Sequence, residues 1–131
     1  MRIIGPKLPL RHSTEHGFYA GNVSYMEEIK QNLKNIVLTN PGERIGYPDF
    51  GVGLRHLLFE PNTDNTLSTI KERIFSQVGE YLPLVEIEGV ELYRKGSEQF
   101  PTFEVAENEV RVRIKYYVPE LLEEDMLELF F

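Results

Sequence analysis

The chain contains no cysteine and no tryptophan. Without cysteine there can be no disulfide framework, no thiolate metal site and no thiol nucleophile. Long apolar runs are missing too. The longest near the start is Ile3-Ile4, far short of the ~18 residues that cross a bilayer and too short for the apolar region of a secretion signal. The expectation is a protein made and folded in the cytosol, without a membrane partner, in which the formal sequon Asn22-Val23-Ser24 carries no weight. Basic charge is scarce where acid is dense. Residues 119–131 hold Glu120, Glu123, Glu124, Asp125 and Glu128 with no Lys or Arg, which accounts for five of the seven net negative charges. Residues 1–12 carry Arg2, Lys7 and Arg11 and no acid. A net-acidic chain argues against nucleic-acid binding, since phosphate neutralisation supplies most of that affinity. No Gly-x-x-x-x-Gly-Lys-Ser/Thr loop is present, so nucleotide hydrolysis has no support.

The 131 residues suit one domain with a self-sufficient core. Residues 1–24, punctuated by Pro6, Pro9, Gly17 and Gly21, show no sustained period and read as an arm outside the core. Ser24 with Glu27 is a capping-box signature. Met26, Ile29, Leu33, Ile36 and Val37 then share one helical face, which predicts a helix over Tyr25 to Leu38. Asn40-Pro41-Gly42 stops it. Residues 41–53 hold four of the ten glycines with Pro41 and Pro48, an ordered loop of special backbone angles. A short helix with Leu54, Leu57 and Leu58 on one side ends at Glu60-Pro61. A longer one, capped by Thr63 or Asp64, carries Leu67, Ile70, Ile74, Val78 and Tyr81 as a stripe and closes at Pro83.

The period then falls to two. Val85 and Ile87 alternate with Glu86 and Glu88, and Gly89 shifts the phase to Val90 and Leu92, as a bulge does. A short strand is expected over Phe103 to Ala106 and a turn at Glu107-Asn108. A strong strand follows, with Val110, Val112, Ile114, Tyr116 and Val118 on one face and Arg111, Arg113, Lys115 and Tyr117 on the other. Helices followed by strands without β-α-β alternation predict an α+β domain, three helices packed on one face of a small antiparallel sheet of about three strands. The domain is expected over residues 25–118. Residues 119–131 mix their acids with seven large apolar side chains, ending in Leu129, Phe130 and Phe131, and read as a tail that packs back or awaits a partner.

Three constellations bear on chemistry. His12-Ser13-Thr14-Glu15-His16 matches the H-x-x-E-H zinc peptidase pattern, but Pro9 and Gly17 bracket it in an arm without an apolar helical face, so no metal or cofactor is assigned. His56 reads as a helix-surface or packing residue. Paired carboxylates for glycoside cleavage could come from Glu43, Asp49 and Glu60, the hydrolase alternative, although pairing with Arg44 would lower the Glu43 pKa when a general acid needs it raised. The row Arg111, Arg113 and Lys115, with Tyr117, could track a phosphate backbone; charge pairing with Glu86, Glu88 and Glu91 across the sheet is the plainer account.

Leu38-Thr39, Pro41-Gly42-Glu43-Arg44, Pro48-Asp49-Phe50-Gly51, Leu54 and Leu57-Leu58-Phe59-Glu60-Pro61, in this order and spacing, resemble the signature of the lysozyme-like baseplate wedge family of contractile-tail phages, whose equivalent subunit occurs in type VI secretion baseplates. The likeness spans about residues 25–118. It implies a structural, non-enzymatic virion protein that binds other wedge proteins, with the tail tube or hub as further neighbours, and starts the tail sheath through strand exchange. A subunit of another contractile injection machine shares the same physics. The family's Glu-Pro-Arg at the end of the long helix, which the resemblance makes a contact with the wedge trunk, is here Leu82-Pro83-Leu84. An apolar pair cannot make a charge-assisted bond, so either the partner surface is apolar or Glu80 or Arg73 serves instead.

Partner contacts are expected from the loop, the long helix, the basic row and the terminus. Arg44 could reach a neighbour's carboxylate or pair internally with Asp49 or Glu60, and both readings stand. Phe50 could plug a partner pocket, but an aromatic after Pro48-Asp49 beside three leucines points to the core. Pro83, Phe130 and Phe131 complete the set. The arm before Ser24 or the tail after Val118 is expected to contribute to the strand-exchanged joint.

Overall fold

In the computed structural model, residues 3–15, 17, 19–59, 64–94 and 110–131 are described. The fold is α+β, with three helices and two small antiparallel sheets. The chain divides into two compact units after Asn35, within the first helix.

In the first unit, β1 (Gly5–Pro6) pairs antiparallel with β2 (Gly21–Asn22). The region read as an arm outside the core folds back on itself. Strands this short cannot hold themselves, and side chains of α1 (Tyr25–Leu38) supply the missing partners. Gln31 donates to the Pro6 carbonyl at 2.9 Å and accepts the Leu8 N–H at 2.9 Å. Glu28 accepts the Asn22 amide at 2.7 Å. Asn22 is 2% exposed and satisfied by Glu28 and Gln31, so these polar contacts do the ordering that apolar periodicity would otherwise reveal. His12 sits in an isolated bridge with Tyr19, not on a helix, and His16 lies outside the described residues.

The second unit contains the larger core. α2 (Leu54–Phe59) buries Leu54, Leu57 and Leu58; α3 (Asp64–Tyr81) buries Ile70, Ile74 and Val78 at the predicted spacing. α3 packs against β3 (Glu86–Arg94) and α2 against α3. β3 pairs antiparallel with β4 (Val110–Val118), and the register shifts between Ile87 and Gly89, where the phase change in the sequence placed a bulge. Val112, Ile114, Tyr116 and Val118 are buried.

Among the described residues the third strand of the larger sheet comes from the C-terminal segment. Phe103 to Ala106 and the turn after it lie outside the described residues. β5 (Glu123–Phe130), from the segment read as a tail, pairs antiparallel along the whole of β4 without a register shift, and the sheet order is β3-β4-β5. Leu127 and Leu129 are buried while Glu128 between them is half-buried and Phe130 is exposed, the alternation of a strand with one covered face. Tyr116 is fully buried, and its hydroxyl donates to Asp125 at 3.3 Å. Burial, then the charge of Asp125, then that hydrogen bond push the Tyr116 phenol well above its ordinary range.

The segment after Val118 therefore packs back on the sheet and gives Leu127 and Leu129 to the core. Leu127→Ala should lower the urea unfolding free energy by about 2–5 kcal/mol. The Tyr116 phenol keeps its proton in the folded chain where the unfolded chain has lost it, so its contribution is complete below pH ~10 and declines as pH rises further. Tyr116→Phe should make that alkaline decline shallower while costing ~1 kcal/mol at neutral pH, read from urea midpoints across the pH range.

Candidate functional site

The loop over residues 41–53 is held by backbone geometry and one glutamine. Gly51 has φ +107° and lies so close to Thr39 that a Cβ would overlap the Thr39 carbonyl, so glycine is required there. Gln77 of α3 clamps both sides of Phe50. It accepts the Gly51 N–H at 2.9 Å and donates to the Asp49 carbonyl at 2.9 Å. Arg73 reaches the Val52 carbonyl at 3.4 Å. At the loop entrance Glu43 accepts the Asn40 backbone N–H at 3.1 Å and its side-chain amide at 2.7 Å.

Phe50 is 6% exposed and lies edge-on to Tyr81 at 4.8 Å, with the Arg44 guanidinium 4.3 Å above its ring. Arg44 and Phe50 are thus brought together by stacking, with Phe50 inside the subunit. Tyr47 meets Tyr81 edge-on at 6.3 Å. The Tyr81 phenol is held above its ordinary range, first by desolvation and then by Glu80, Asp49 and Tyr47. A shallow groove of about 300 Å³ runs between loop and helix, lined by Asp49, Gly51, Arg73 and Gln77 among others. Glu60 lies outside the described residues, and Glu43 is engaged with Asn40.

Beyond Tyr81 the helix ends in a turn that leaves Glu80 and Pro83 exposed and Leu84 44% exposed. Ile45, at the loop tip, is fully exposed, and Tyr47 is 58% exposed. The end of α3 and the adjoining loop thus present apolar side chains beside the exposed Glu80.

On the wet face of the sheet, Arg113 donates to Glu128 through Nε at 2.9 Å and Nη2 at 2.8 Å. Lys115 Nζ lies 3.6 Å from Glu91. The expected pairing with β3 is therefore shared with β5 through Glu128. The Arg111 guanidinium stacks 4.9 Å from the Phe130 ring, and Arg55 lies 5.9 Å from the ring of Phe131. Phe131 itself exchanges both backbone hydrogen bonds with Val110. A second groove, of about 490 Å³, is lined by Glu88, Lys115, Glu124, Asp125 and Met126.

The ladder also fixes which backbone groups face outward. Since Phe131 and Val110 form a hydrogen-bonded pair, the antiparallel alternation makes Leu129, Leu127, Asp125 and Glu123 bond β4 and turns the N–H and C=O of Glu124, Met126, Glu128 and Phe130 away from it. Among the described residues no strand pairs with that outer side. The sequence held this signal in the alternation of Leu127 and Leu129 with Glu128 and Phe130.

The profile of baseplate wedge protein gp25 matches residues 23–120, most of the chain. The chain belongs to the gp25 baseplate wedge family. A protein from Geobacter sulfurreducens called a tail lysozyme is similar at 25% identity, covering 86% of this chain and 94% of that one, with a TM-score of 0.66. A chain of the anti-feeding prophage baseplate is similar at 27% identity over 85% of this chain and 81% of its own, with a TM-score of 0.62. A chain of the postcontracted pyocin R2 baseplate shares the fold at 16% identity and a TM-score of 0.50, covering 93% of this chain and 96% of that one. No curated protein matches the sequence significantly.

Within this gp25-family chain the motif residues Phe50, Gly51 and Leu54 are buried, so the signature describes how the loop is held against α3. Gln77→Ala should cost about 1–3 kcal/mol through the unsatisfied Gly51 N–H and Asp49 carbonyl. Amide exchange should quicken over residues 41–53 with little change in β4.

Proposed function

We propose that this gp25-family protein is a non-enzymatic subunit of a contractile-tail baseplate wedge, located in the virion tail after assembly in the host cytoplasm, that binds neighbouring wedge proteins and starts the tail sheath. The observation that carries the reading is the outer edge of β5. Its backbone groups at Glu124, Met126, Glu128 and Phe130 point outward, and an edge of this kind accepts a strand from another chain through main-chain hydrogen bonds.

The joint expected from the strong strand with one wet face moves accordingly. β4 is central and saturated on both sides, so it can accept nothing, and residues 123–130 act as template instead of as the strand given away. β3 is the poorer edge, because its bulge interrupts the regular spacing of donors and acceptors. Wedge neighbours, the tube or the hub would meet the apolar end of α3, where Leu84, Tyr47 and Ile45 are exposed, with Arg73 and Asp49 in the adjacent groove. Hydrolysis of peptidoglycan through Glu43 and Asp49 is the competing reading, favoured by the name of the Geobacter sulfurreducens relative.

Particles assembled with two variants separate the steps. Proline at Met126 removes an outward N–H without touching the β4 ladder, which edge strands tolerate. Electron micrographs should show baseplates and tubes lacking sheath for Met126→Pro, and loss of the subunit from the wedge for Leu84→Glu, with unfolding midpoints of both variants near wild type. Normal sheaths on Met126→Pro particles would refute strand addition at β5. Clearing of a cell-wall suspension by the purified protein, abolished by Glu43→Gln or Asp49→Asn, would establish the hydrolase instead.

A further inference from the structure

The exposed edge of β5 is not a neutral template. The register partners of Glu123 and Glu124 on β4 are Val118 and Tyr117, neither of them a cation, and both glutamates are exposed. Glu128, four residues on, is already neutralised by Arg113. Asp125 adds a third acid next to Glu123 and Glu124, and Glu88 faces the same groove, where Lys115 is shared with Glu91. The strand therefore carries concentrated negative charge at its start and, at its end, a Phe130 ring that is 55% exposed.

The edge is also held shut at its centre. Asp125 Oδ1 accepts the N–H of Met126 at 2.8 Å, one of the donors turned away from β4, while Oδ2 accepts the Tyr116 hydroxyl at 3.3 Å. A self-supplied acceptor and a row of like charges are what keep an edge strand from pairing indiscriminately. An acidic or neutral strand arriving here meets a donor already occupied and adds no compensation for the carboxylates. A cation brought beside Asp125 draws the carboxylate toward itself and frees the Met126 N–H for the ladder.

We propose that the β5 edge selects a basic extended segment of a partner chain, with Lys or Arg at the alternating positions opposite Glu123 and Asp125, which share one face of the strand, and an apolar residue toward Phe130 on the other face, and that its cation unclips Asp125 from Met126. This inference rests on the strand-addition reading and adds the chemistry of the partner to it. Opposite charges facing one another across a sheet favour pairing, and like charges oppose it. The selection is electrostatic and so must weaken with salt.

The test uses the full-length protein and three labelled nine-residue peptides, in which valine alternates with Lys, Gln or Glu. Fluorescence anisotropy measures affinity, and amide hydrogen exchange reads the edge. The Lys peptide should bind about tenfold more tightly than the Gln peptide at low salt, as expected if two cross-strand charge pairs form. It should slow exchange at Glu124, Met126, Glu128 and Phe130, and the double variant Glu123→Gln, Glu124→Gln should remove most of the preference. Equal protection by all three peptides would overturn charge selection while leaving strand addition intact. Protection by none would overturn strand addition itself. Tight binding of the Lys peptide without slowed exchange at those amides would reduce the effect to general surface attraction and overturn the proposal. Protection of the same amides by self-association alone, seen by sedimentation without peptide, would make a second copy the occupant and overturn it too.

Discussion

The pairing of β5 with β4 is the constraint on which the second unit's architecture turns. It encloses Tyr116, takes Leu127 and Leu129 into the core and makes the most regular strand of the chain central. It also relocates the available edge. With β4 hydrogen-bonded on both sides, the regular edge of this sheet is that of β5, in the most acidic stretch of the molecule. Packing and recognition are thereby linked through one ladder, since Leu127 and Leu129 that hold β5 in place alternate with the outward-turned backbone of Met126 and Glu128.

The Gly-rich loop shows the same economy in a different form. Gly51 passes against the Thr39 carbonyl, and the Gln77 side chain takes the place of a missing strand by satisfying one donor and one acceptor on either side of Phe50. The residues that mark the gp25 family are spent largely on this internal fixation. What remains outside, Ile45, Tyr47 and Leu84, is apolar, and a neighbour that fits it must bury it by shape.

Much of the secondary structure was legible. The helix over Tyr25 to Leu38 begins and ends where Ser24 and Asn40 mark it, and α3 closes just before Pro83, because helix bonds and caps join residues close in sequence. The bulge at Gly89 could be read from the phase of Val90 and Leu92. The β1–β2 pair was not legible, since Asn22, Glu28 and Gln31 order it through polar contacts that leave no periodic trace. Nor was the tie between Arg113 and Glu128, because the acid-rich terminus reads as a solvated segment until a strand lies beside it.

By itself the sequence determined the helices, the bulged strand, the alternating strand and membership of a family whose motif lies in one loop. These rest on spacings of two to four residues and on glycines at sites of unusual backbone angle, both local properties. The tertiary structure alone decided that residues 123–130 pair with β4, that Arg44 stacks on the buried Phe50, and which side of the sheet remains open. A strand's hydrogen bonds lie in its neighbour, so neither its pairing nor its free edge can be known until that neighbour is in place.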